Sequence, residues 1–141
     1  MKKKYSALFL IFVLLVSLFA VPSALAAQPR FSHVMSITAG IDRNGSTLIC
    51  AGAGSAMSNT DLVYVHISLL RRSHDGGNWS FVSSWGANGV GQLLTMVEAT
   101  PTVESGYDYY VHTVVQIRDP ETNQLLEAVG LDSHTISYPA T

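Results

Sequence analysis

The chain has 141 residues, eight Lys and Arg against ten Asp and Glu, and a formal net charge of −2. Lys2, Lys3 and Lys4 open it; without them five arginines face ten carboxylates, a net charge of −5. A body of that sign lacks the basic stripe that neutralises phosphates, which excludes nucleic acid and an anionic membrane surface as partners.

The three lysines precede an apolar run over residues 7–21, and "PSALAAQPR" follows with small residues at Ala24 and Ala26. Basic start, short apolar segment and small-x-small site form the three-part pattern of a secretory signal. The run is at the short end for a membrane span, so processing is expected instead. The expected cut follows Ala26, with Ala27 as the alternative, giving a signal peptide over 1–26 and a secreted, extracellular domain over 27–141. Cys50 is the only cysteine, so no intramolecular disulfide can form. The chain ends at "SYPAT" with no second apolar anchor, and membrane contact is not expected after cleavage. The remaining 115 or so residues suit one domain, which buries roughly two-thirds of its unfolded surface without staples.

In that domain runs of period two, divided by turn residues, replace any helical stripe. "FSHVMSITAGI" is a first strand, and Asn44-Gly45 supplies the positive φ angles of a tight hairpin. "TLICAGAGSAM" follows, where Gly52 and Gly54 mark either a close approach by a large neighbour or a bulge. "LVYVHISLLRR" is the third strand and "WSFVSSW" the fourth. "GANGVG" then reads as a connection to "QLLTMVEA", and "TPTVESG" as a corner before "GYDYYVHTVVQI". Pro120 starts the last turn, and "QLLEAVGLDSHTIS" is the final strand. The fold class expected is all-β: a single seven-stranded antiparallel β-sandwich.

Tyr109, just after a Pro-containing corner, resembles the tyrosine corner of immunoglobulin-like sandwiches, in which the hydroxyl bonds back to the corner's backbone. Arg30-Phe31-Ser32, Cys50 in a glycine-rich second strand, Trp79-Val82-Trp85 and Gly106-Tyr107-Tyr109 resemble an uncharacterised family of small exported Gram-positive bacterial proteins. That family is a domain of unknown function, and the resemblance implies export and a sandwich without implying an activity.

Candidate sites follow from which side chains point outward. If the third and sixth strands pair, Tyr64, His66 and Ser68 share an exposed face with Tyr110, His112 and Gln116. Tyr110 and His112 are expected to be substantially exposed there, as the candidate binding face. The two histidines could hold a metal only if the register set them opposite each other, and no spacing supplies a third ligand. No metal and no cofactor are therefore expected. Trp79, Phe81 and Trp85 alternate onto one face of the fourth strand, either as core or as a row of rings for sugar stacking. A nucleophile elbow is missing, and nothing fixes Ser55, His74 and Asp75 as a triad or Glu98 and Glu104 as an acid pair. Cys50 in an apolar strand reads as an inert small hydrophobe. The expectation is a non-enzymatic binding or interaction module. Its partner would be an unknown protein or a cell-surface glycan, and an inhibitor or immunity-type role is the further alternative.

Overall fold

The computed structural model describes residues 31–139. The expected signal peptide over 1–26 and its cleavage site lie outside the described residues. The strands are β1 (Val34–Asn44), β2 (Thr47–Ala56), β3 (Leu62–Ser73), β4 (Ser80–Val90), β5 (Thr95–Ala99), β6 (Tyr107–Arg118), β7 (Leu125–Asp132) and β8 (Ile136–Tyr138). They form two antiparallel sheets, one ordered β1-β2-β5 and the other β4-β3-β6-β7, with β8 also pairing β6. Among the described residues there is no helix, and so none long and apolar enough to cross a membrane.

The sheets stack face to face because period-two alternation gives each an apolar side. Val63, Val65, Ile67 and Leu69 of β3 are buried, as are Tyr109, Val111, Val115 and Ile117 of β6. Leu48 and Cys50 of β2 meet them from the other sheet. Each buried aliphatic side chain contributes about 1.5–3 kcal/mol. Between the layers, Gly52 leaves room for Ile67 and Thr113, and Gly54 for Val115; a methyl on either glycine would overlap those side chains. Of the two sequence readings for these glycines, close approach is the one realised.

Asn44-Gly45 makes the β1–β2 hairpin, with Asn44 opposite Thr47 and Gly45 at φ 62°. Two expectations need correction. Eight strands are described instead of seven, because the last run is interrupted. Ser133 accepts the Val111 N–H on its hydroxyl and donates its own N–H to the Val111 carbonyl, releasing the chain from regular pairing between β7 and β8. All of "GANGVG" but its last glycine belongs to a strand and is not a connection: Gly86 stands opposite His66 and Gly89 opposite Val63. The turn falls instead at Gly91, where φ is 78° and the Asn59 backbone crowds the position a side chain would take.

Candidate binding face

β3 and β6 pair along their whole length, so their outward sets do share one face. The register puts Tyr64 opposite Gln116, His66 opposite Val114, Ser68 opposite His112 and Leu70 opposite Tyr110. His66 and His112 are thus offset by one pair, and the face-to-face arrangement a metal would need is not formed. Among the described residues, no group of three His, Cys, Asp or Glu side chains is arranged to hold a metal ion.

His66 is exposed, but Tyr64, Tyr110 and His112 are half-buried. For Tyr110 and His112 the exposure is partial, with 39% of the His112 side chain accessible. The indole of Trp79 packs edge to face with Tyr110, at 4.6 Å between centroids and 88° between planes. His112 is tied through Nδ1 to the Asp132 carboxylate of β7, directly opposite it, and its ring lies over Gly130. Arg118 reaches over the Tyr64 ring at 5.7 Å.

The aromatic row of the fourth strand does not exist as a row. β4 opposes Ser83 to Leu69 but Phe81 to Leu70, so Val82 is an extra residue in a bulge. A bulge breaks the two-residue period. Trp85, opposite Ile67, therefore faces inward and packs on the core. Phe81 faces outward, 64% exposed. Trp79, just before β4, joins the outward side, with the Arg72 guanidinium 4.7 Å from its ring. The two candidate sets, kept separate in the sequence reading, thus merge: Trp79 and Phe81 stand on the face that carries Tyr110 and His112.

Beside this aromatic corner lies an open cleft of about 270 Å³ lined by Trp79, Tyr110, Asp132, Ser133 and Thr135. Burial, and then the Asp132 charge, push the Tyr110 phenol above its ordinary pKa. Below the corner, Asp108 accepts from the Ser137 hydroxyl at 2.6 Å and from Arg72 at 3.4 Å, with His74 Nε2 at 3.3 Å. The Ser137 bond, with Arg72 and His74, holds the Asp108 carboxyl below its ordinary value. This hub anchors the Arg72 guanidinium that lies against the Trp79 ring.

The remaining candidates scatter. Ser55 bonds Ser36 at 2.6 Å within the three-stranded sheet. His74 follows the far end of β3 and turns to Asp108, and Asp75 is an exposed loop residue. Glu104 pairs with Arg71 at 3.3 Å, while Glu98 is exposed on β5. Cys50 faces the core, and burial pushes its thiol pKa up to about 11, which suppresses the thiolate. One feature escaped the sequence reading: Val90, Leu93, Leu94 and Met57 are exposed at one end of the domain, Leu93 at 83%. Gln92 bonds the Met57 carbonyl there, which brings these segments together.

No protein-family model and no curated protein matches the chain. Among solved structures, the E. coli curli protein CsgC in a SeCys form is similar over 69% of this chain and 95% of its own, at 13% identity and a TM-score of 0.38. A likeness that distant carries no argument for either fold or function.

Proposed function

We propose that the chain is an exported, non-catalytic binding module of immunoglobulin-like type, and that its contact surface is the outer side of the five-stranded sheet at the Trp79–Tyr110 corner. The observation that carries this is the Val82 bulge. It turns Phe81 outward beside Trp79, whereas an uninterrupted strand would keep large rings on one side, where a core can use them. Clustered rings with a polar surround are the usual anchors of a contact surface. The immunoglobulin-like assignment draws support from the strand order and the Tyr109 corner, with β7 and β8 read as one interrupted last strand. Export rests on the N-terminal signal pattern, and membership of the small exported Gram-positive family on the motifs quoted above.

The cleft favours a neutral glycan over the other ligands considered. Ser133 is committed internally, donating to the His134 carbonyl at 2.8 Å, and His112 engages one Asp132 oxygen. The second Asp132 oxygen and the hydroxyls of Tyr110 and Thr135 remain to meet a polyhydroxylated ring, and the carboxylate repels anions. A glycan array followed by calorimetric titration tests this. Wild type should bind a neutral saccharide, Phe81→Ser and Asp132→Asn should each weaken it at least about tenfold, and denaturation midpoints should barely move. Unchanged affinity in both variants would remove the face from consideration. A blank array with capture of a purified protein partner would move the reading to a protein ligand.

A further inference from the structure

The edges of the two sheets are not alike. β5 has five residues and carries Glu98; β8 has three; β7 carries Glu127 and Asp132; β1 carries Asp42 and Arg43 just before its last residue. β4 has eleven residues and neither a charge nor a proline, and it pairs only with β3. Toward its far end Thr95 of β5 fills the inward face at Gly89, and β4 runs through Val90 into the turn at Gly91. Phe81 is 64% and Val82 37% exposed along the strand. Natural edges are blunted by charge, proline, shortness or bulges, and here the Val82 bulge at one end is the sole device.

We infer that this edge pairs with β4 of a second copy of the chain, antiparallel across a two-fold axis, so that two five-stranded sheets become one. The groups to be satisfied are a row of backbone N–H and C=O, and an extended strand is the chemistry that satisfies them. The strand is uncharged in a chain of net charge −5 after signal removal, so two acidic domains meet with least repulsion along this line. Gly86 and Ala87 at the middle leave the backbones free to approach. Pairing over residues 84–88 about Gly86 sets outward Ser84 opposite Asn88 and Gly86 opposite its own copy, and inward Trp85 opposite Ala87, as a shared face requires. Two-fold pairing of a strand with itself is also closed, and stops at two copies. None of this depends on the ligand reading above.

Sedimentation equilibrium of the secreted chain should give twice the single-chain mass, falling on dilution. Ser84→Lys with Asn88→Lys should halve the mass, as should Ser84→Glu with Asn88→Glu, and an equimolar mixture of the two should restore the doubled mass. Under mild oxidation Gly86→Cys should give a covalent dimer, since a side chain fits there at ordinary contact distance. Thr38→Cys, exposed on β1, should not. A single-chain mass at the highest soluble concentration would overturn the inference, as would a doubled mass that survives the lysine substitutions. Should the charged variants unfold, cross-linking decides: equal yields from Gly86→Cys and Thr38→Cys would also overturn it.

Discussion

The hydroxyl of Tyr109 donates to the carbonyl oxygen of Glu104 at 2.8 Å, while its ring is 1% exposed. The bond closes the corner that leads from β5 into β6. It also fixes parity, because Tyr109 is the first fully buried member of the inward set of β6 and any slip by one residue would turn Asp108, Gln116 and Arg118 into the core. The outward face of β6 is therefore oriented from the opposite side of its own strand.

Tyr109→Phe should cost about 1 kcal/mol, and up to about 3 kcal/mol where the Glu104 carbonyl is left without a donor. Chemical denaturation measures it. An unchanged midpoint would mean the corner contributes nothing to the register.

Gly54→Ala should destabilise by about 1–3 kcal/mol, since its methyl would overlap Val115, a fully buried side chain that cannot swing away. The Gly54→Ala, Val115→Ala pair should then lose less than the sum of its single changes. Strict additivity in the double-mutant cycle would show that the two sheets do not meet at this point.

The parts legible in the sequence were those set by one strand alone. Inward and outward parity of β3 and β6 follows from uninterrupted alternation, and the hairpin at Asn44-Gly45 from local backbone chemistry. Gly52 and Gly54 announced a close neighbour without naming it. Quantities that depend on two strands were hidden. "WSFVSSW" alternates cleanly, and only its pairing with Leu69 and Leu70 exposes Val82 as surplus. The offset of His66 and His112 belongs to the β3–β6 register, which neither strand encodes by itself. Gly86 and Gly89 read as a turn because edge-strand glycines and turn glycines look the same without a partner. Hence alternation alone puts Trp85 on one face with Trp79 and Phe81, whereas the bulge at Val82 parts it from them.

Acid should weaken the fold through Asp108. Its carboxyl is held below the ordinary 3.8 by the Ser137 hydroxyl, Arg72 and His74. Asp119 is held below it too, by the backbone N–H groups of Thr122 and Glu121. A depressed folded-state pKa gives stability that is present above the unfolded value and lost as pH falls through the folded one. Thermal midpoints should therefore drop below about pH 4, and Asp108→Asn should drop less steeply there. Parallel curves for the two proteins would assign the acid limb to other groups.

Glu127 supplies the last prediction. At the start of β1, where Val34 has Ala56 of β2 opposite it, the N–H groups of Ser32, His33 and Val34 turn to the other sheet. All three point to the Glu127 carboxylate of β7, at 3.3 Å for Ser32 and 3.1 Å for Val34. One side chain of the five-stranded sheet thus holds the leading edge of the other sheet, and Val34 behind it is fully buried. Glu127→Ala should leave the Val34 N–H without an acceptor, at about 1–3 kcal/mol. Glu127→Gln keeps one carbonyl oxygen and should lose less. Hydrogen exchange locates the effect: His33 and Val34 should exchange much faster in Glu127→Ala, while Val111 and Val115 in β6 keep protection apart from the drop in global stability. Were exchange at His33 and Val34 unchanged, the start of β1 would be held by its pairing with Ala56 alone, and the carboxylate would be a bystander.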